Sequence, residues 1–247
     1  HPRKARGNKK EVIGIDLNGN KHKLDIVIEE SGSEEAFGRY KAYIEMAWRR
    51  YVKHSKNKVQ EIAGAILPLV ETNAKENPFY AAVLAGEFTE NALTQLRSQG
   101  FYVLYFNYDE ICKIFDTIGL SIRWEEDTSE ADIQKIASKF EKLTPAQIKK
   151  LRANFFTMYK KQLDDLANAL SNSLEATISE VIVIPLHGMA KSLCDTDEAV
   201  QYILSYDETT SEPIYRYEII VRYNNGDEYI MRCANKAKAI QFLNQYK

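Results

Sequence analysis

Two acidic residues interrupt apolar stretches that have the pattern of β-strands. Asp25 is flanked by leucine and isoleucine, and Glu45 is flanked by isoleucine and methionine. If the two stretches pair in a sheet, their carboxylates converge at one edge. Carboxylate oxygens are ligands that Mg²⁺ takes in proteins, together with water and phosphate oxygens. We therefore expect Asp25 and Glu45 to hold a Mg²⁺ ion that activates water for phosphodiester hydrolysis.

Basic residues surround Glu45 along the chain. Residues 39–58 hold seven Lys and Arg against one acid, Glu45 itself, in a chain whose net charge is −2. Binding of a polyanion must therefore use a local patch. The first ten residues contain five basic residues and no acid, which predicts a flexible basic arm that also contacts phosphates. The nucleic-acid contacts expected in the longer patch are Arg49, Arg50, Lys56, Lys58 and Gln60.

The first half of the chain alternates strand and helix patterns. An Asn-Gly-Asn turn joins residues 11–17 to residues 22–29 and predicts a β-hairpin. Further strands are predicted at 41–46, 79–85 and 101–106, and helices at 48–70, 89–98 and 108–118. Pro68 should kink or end the first of these helices. This order predicts an α/β fold in which a mixed β-sheet is flanked by helices.

The second half begins with helices and ends in a mixed segment. Residues 130–176 have a helical pattern that breaks at Thr144-Pro145, an N-cap followed by proline at the first helical position. A strand at 181–184, a helix at 197–204, a hairpin from 215 to 233 and a helix at 236–246 follow. We expect a first domain over residues 1–125 and, over 126–247, a helical region with a C-terminal α+β extension.

The arrangement of acids and elements resembles the PD-(D/E)XK nuclease core of type II restriction endonucleases. Leu24-Asp25 stands where the family has Pro-Asp, and Glu45-Met46-Ala47 stands where it has Glu-x-Lys. The resemblance covers about residues 11–106. It implies a restriction endonuclease-like core, Mg²⁺-dependent and sequence-specific cleavage of double-stranded DNA, a homodimer, and a location in a prokaryotic cytoplasm.

The residue at position 47 departs from the family, because alanine cannot supply the catalytic lysine. In some relatives that lysine, or the second acid, lies on the following helix. Lys53 is then the first candidate for the cation and Lys56 the next, while Glu61 becomes a candidate acid. The expected catalytic set is Asp25, Glu45, Lys53 and Glu61.

Other interpretations remain open. The acids could face solvent on an edge strand, and the lysines could be the solvated face of an ordinary helix. The chain could be a non-catalytic DNA-binding or defence-complex subunit that keeps the nuclease fold. It could instead bind a small ligand at the strand ends near Gly86 and Asn107, although neither GxGxxG nor a P-loop is present.

Several classes of protein are disfavoured by composition. No apolar run approaches the roughly 18 residues that a membrane-spanning helix needs. Cys112, Cys194 and Cys233 lack the spacing of a zinc site and are expected to be free thiols in a reducing cytoplasm.

Overall fold

The computed structural model describes residues 3–185, 189–209 and 216–246, and the chain divides into two compact units. The first consists of His1–Thr72 and Pro78–Leu170, and the second of Asn73–Asn77 and Ser171–Lys247. The units divide near residue 170 rather than at the boundary predicted after residue 125. The reason is that Leu151 and Tyr159, from the helical region, pack into a core of the first unit.

Six strands belong to the first unit: β1 Val12–Ile15, β2 Lys21–Leu24, β3 Ile26–Glu30, β4 Arg39–Arg49, β5 Phe79–Gly86 and β6 Tyr102–Asn107. Strands β1 and β2 form the predicted antiparallel hairpin. A four-stranded sheet has the order β3-β4-β5-β6, with β3 antiparallel to β4 and the other neighbours parallel. The sheet is therefore mixed, as the alternation of strands and helices predicted.

Two boundaries near the predicted acids were wrong. The strand predicted over residues 22–29 is broken at Asp25, so β2 pairs with β1 while β3 pairs with β4. The next strand continues to Arg49, because β5 pairs with it as far as Arg49 opposite Gly86. Trp48 therefore lies in a strand, and the helix predicted to begin there begins at Ser55.

Six helices complete this part of the chain: α1 Ser55–Thr72, α2 Glu90–Ser98, α3 Tyr108–Asp116, α4 Glu130–Glu141, α5 Pro145–Met158 and α6 Lys160–Leu174. Helix α1 continues past Pro68 for one more turn, and the Thr72 hydroxyl donates to the Pro68 carbonyl. Thr89 caps α2 as predicted. Thr144 and Gln147 form a capping box at α5, where proline occupies the first turn.

The sheet is covered on both faces. Helices α1 and α2 pack on the face that carries Tyr43 and Leu84. Residues of α3 and α5 pack on the other face, which carries Leu104 and Phe106. Alternate residues of a strand point to opposite faces. Glu45 therefore shares the α1 face with Tyr43, two residues before it.

The second unit is an α+β arrangement of β7 Ile178–Ile184, β8 Lys191–Leu193, β9 Tyr217–Tyr223, β10 Glu228–Cys233, α7 Thr196–Ser205 and α8 Lys236–Leu243. Its antiparallel sheet has the order β10-β9-β7-β8. The hairpin and both helices were predicted, but β8 was missed because three residues give no alternation. Tyr215, predicted to begin the hairpin, lies outside the described residues.

Candidate metal centre

Asp25 and Glu45 lie side by side where β2 gives way to β3. Ile26 pairs with Ile44 in the ladder, which puts Asp25 opposite Glu45 at the next step. The backbone N–H of Asp25 donates to Oε1 of Glu45 at 3.1 Å, and the backbone N–H of Met46 donates to Oδ2 of Asp25 at 2.8 Å. These reciprocal bonds fix both carboxylates at one edge of the sheet.

The two acids differ in their exposure to water. Asp25 is exposed, whereas Glu45 is only 8% exposed. Burial raises the pKa of the Glu45 carboxyl, and the negative charge of Asp25 raises it further. The hydrogen bond from the Asp25 backbone and the positive charge of Lys58 act in the opposite direction. A cation at this position would therefore relieve both the burial and the repulsion.

The donor set suits a hard divalent ion that keeps part of its water shell. Asp25 and Glu45 each present one carboxylate oxygen that accepts no hydrogen bond from the described residues. Within the described ranges, no three His, Cys, Asp or Glu side chains are grouped as a metal site. Two carboxylates suffice for Mg²⁺, because water and substrate oxygens complete its octahedron. The residues present therefore fit this ion.

Lys58 and Arg49 are two of the cations on the side of the sheet that carries Glu45. The Lys58 side chain, at the start of α1, is 22% exposed, and its Nζ lies 3.3 Å from Oε2 of Glu61. Arg49 lies 4.0 Å from the same Glu61 oxygen. Glu61 thus bridges two cations, one of which lowers the pKa of Glu45.

Lys53, the expected catalytic cation, forms an ion pair outside the two-acid site. It follows β4 in a short 3₁₀ turn, Val52–His54, and its ammonium group pairs with Glu126. This follows from the later start of α1, which leaves residue 53 ahead of the helix. Lys53 thus forms an ion pair with the segment between α3 and α4, and Lys58 is the lysine whose charge acts on Glu45.

Arg50, expected to contact phosphate, is instead built into the fold. Its guanidinium lies 4.0 Å from the centre of the Tyr108 ring and donates to the Trp124 carbonyl. The side chain is only 12% exposed and also approaches Glu125 at 3.7 Å. Lys56 and Gln60, by contrast, are exposed on α1.

The basic N-terminal arm is also folded back, contrary to the expected flexible segment. Residues Lys4–Arg6 form a 3₁₀ turn. Arg3 donates to Oε2 of Glu29 at 3.1 Å, and Lys4 pairs with Glu35 at 3.2 Å. The charges of Arg3 and Lys4 are therefore compensated within the chain.

The strand ends at Gly86 and Asn107 satisfy their own polar groups. The Tyr105 hydroxyl donates to the Gly86 carbonyl at 2.8 Å, and Asn107 caps α3 through its side chain. Gly86 has φ +103°, and a Cβ there would lie 2.0 Å from the Arg49 carbonyl oxygen, so only glycine fits. The Gly86 carbonyl and the Asn107 side chain are therefore engaged within the fold.

No family model, curated protein or solved structure matches this chain. In the described parts of the chain, no helix combines the length and apolar character needed to cross a bilayer.

Proposed function

We propose that this chain is a Mg²⁺-dependent endonuclease that hydrolyses phosphodiester bonds of double-stranded DNA, with a restriction endonuclease-like core. The observation that carries the proposal is the reciprocal contact between Asp25 and Glu45. The two acids lie together, and one of them is buried with a raised pKa. A cation bound between them would stabilise their ionised forms.

The order of elements around the acids supports the same proposal. Asp25 lies between β2, the second strand of a hairpin, and β3, and Glu45 lies in β4, which pairs antiparallel with β3. Helix α1 then leads to β5, which is parallel to β4. This order is similar to the one that the PD-(D/E)XK resemblance implies, except that the expected second strand is divided at Asp25 and the hairpin forms a separate sheet.

The residues divide into ligands and charge-stabilising groups. Asp25 and Glu45 would hold Mg²⁺, which when bound polarises the phosphate and lowers the pKa of a water. Lys58 would replace the lysine missing at position 47 by stabilising negative charge that develops on the phosphate. Glu61 would orient Lys58 through their 3.3 Å ion pair. Arg49 and Lys56 would contact neighbouring phosphates.

Plasmid cleavage tests this proposal directly. Supercoiled DNA is incubated with Mg²⁺ and the intact chain, Asp25→Asn or Glu45→Gln. Glu71→Gln is the matched control, because Glu71 is an exposed acid on α1. We expect linear or fragmented DNA from the intact chain and the control only. Cleavage that persists in Asp25→Asn and Glu45→Gln would contradict the site.

A non-catalytic DNA-binding or defence-complex subunit is the second candidate. It is favoured by Ala47, which leaves the family's lysine position without a cation, and by the pairing of Lys53 with Glu126. A chain that binds duplex DNA in EDTA, yet leaves plasmid intact with Mg²⁺ or Mn²⁺, would select this candidate. The homodimer implied by the resemblance is also part of the proposal, and sedimentation velocity measures it.

A further inference from the structure

Helix α5 is a local exception to the acidic balance of the chain. None of its 14 residues is an acid, and it carries Lys149, Lys150 and Arg152. The acid-free stretch extends from residue 142 to residue 163 in a chain of net charge −2. A positive surface of this kind attracts polyanions.

The two faces of α5 are clearly divided. Leu151 and Phe155 pack against the core on that side of the sheet. On the same helix, Lys150 donates to the Thr117 carbonyl and Asn154 to the Thr117 hydroxyl, each at 2.8 Å. These contacts dock α5 on the end of α3 and leave its opposite face in solvent.

The outward face carries Lys149, Arg152 and Phe156 at helical spacing. All three are exposed, Phe156 by 55%. Within the described residues, neither Lys149 nor Arg152 forms an ion pair or a side-chain hydrogen bond. The lysines that begin α6 differ, because Lys160 and Lys161 pair with acids one turn later.

We propose that this face of α5 is a contact surface for the backbone of duplex DNA. Lys149 and Arg152 would neutralise phosphates and release their counterions, which is the main source of non-specific affinity. Phe156, between these cations and the helix end, would touch sugars or thymine methyl groups. The choice of DNA as the polyanion rests on the proposed function.

The site of hydrolysis and this surface can be tested separately, because α1 and α5 cover opposite faces of the sheet. Fluorescence anisotropy with a labelled mixed-sequence duplex in EDTA measures binding without cleavage. For the intact chain, the logarithm of the binding constant should fall linearly with the logarithm of salt concentration. In the variant Lys149→Ala/Arg152→Ala, the steepness of this line should decrease by about 2, one unit for each phosphate contact.

The matched control is Lys191→Ala/Lys238→Ala, which removes the same charge from two exposed lysines of the second unit. It should keep the original salt dependence. An unchanged slope in Lys149→Ala/Arg152→Ala, or no DNA binding by the intact chain, overturns the inference. If the slope is unchanged and the chain also self-associates in a way that Phe156→Ser abolishes, the inference is overturned in favour of a contact between α5 and a second copy of the chain. A smaller slope in Lys149→Ala/Arg152→Ala supports the inference. If the intact chain at the same time shows no Mg²⁺-dependent cleavage, the nuclease proposal is contradicted.

Discussion

Asp16 and Glu45 are both buried carboxylates of the first unit, 7% and 8% exposed, yet their surroundings are opposite. Asp16 accepts hydrogen bonds from the backbones of Asn18 and Asn20 and from the Asn20 amide, and Nε2 of His22 lies 2.9 Å away. These partners hold its pKa well below the ordinary value. Glu45 receives one backbone hydrogen bond, and burial raises its pKa.

Under the proposed function, this difference separates an acid that stabilises the fold from one that would bind a metal ion. The partners of Asp16 come from its own hairpin turn, so its negative charge is stabilised as soon as the turn forms. Glu45 lies beside a second acid, and its ionised form is only partly stabilised by the positive charge of Lys58. Burial alone does not indicate a site; burial beside a second acid, with few compensating partners, is what makes Glu45 a candidate.

The sharpest test of this comparison exchanges each carboxylate for its amide. Glu45→Gln should reduce cleavage by about 1,000-fold or more, since metal binding contributes several kcal/mol to the transition state, while stability is kept or increased. Asp16→Asn should lower the urea midpoint and leave cleavage by the folded protein intact. Plasmid cleavage and urea unfolding measure the two effects. A catalytic loss in Asp16→Asn equal to that in Glu45→Gln would erase the distinction.

The cation that balances Glu45 gives the next largest effect. Lys58→Met should slow cleavage by about 100-fold, as expected for loss of one preorganised charge, and Lys58→Arg should restore part of the rate. Lys53→Met is the matched variant, because its ammonium group pairs with Glu126. Single-turnover rates at saturating Mg²⁺ compare the three. A larger loss in Lys53→Met would return the catalytic role to Lys53.

Arg50 is a largely buried cation whose contacts, like those of Asp16, stabilise the fold. Arg50→Ala removes a stacked guanidinium and its bond to the Trp124 carbonyl. We expect the free energy of unfolding to decrease by about 2–4 kcal/mol, with an unchanged salt dependence of DNA binding. Urea unfolding and anisotropy titrations check both. A flatter salt dependence without loss of stability would restore Arg50 as a phosphate contact.

The smallest expected effect is the pH dependence of stability. The folded pKa of Asp16 lies below its ordinary 3.8, so its contribution is present above that pH and is lost as the pH falls through the folded pKa. The folded pKa of Glu45 lies above its ordinary 4.5, so its carboxyl favours folding at low pH and loses this contribution as the pH rises through the folded pKa.

Urea unfolding across a pH series should therefore show two separable slopes. Asp16→Asn should reduce the acid-side loss, and Glu45→Gln should reduce the decline above pH 4.5. Other acids also contribute to the acid-side loss through their lowered pKa values, namely Glu11, Asp132, Glu180 and Asp207. If saturating Mg²⁺ fails to reduce the second decline, the ion does not bind the ionised Glu45 carboxylate.

Local patterns were sufficient for much of the fold. The Asn-Gly-Asn turn, the apolar runs that became β5 and β6, and the caps at Thr89 and Thr144 were predicted, because each depends on neighbouring residues. The partners of Lys53 and Arg50 were not predicted, since Glu126 and Trp124 lie more than seventy residues away.

The sequence by itself determined that two acids stand within strand-forming stretches and that a basic segment follows the second. The tertiary structure decided which cation comes close to Glu45. Pairing with β5 extends β4 to Arg49 and delays α1 until Ser55. That long-range pairing keeps residues 48 and 49 out of the helix, because backbone groups that bond across strands are not available for helical hydrogen bonds.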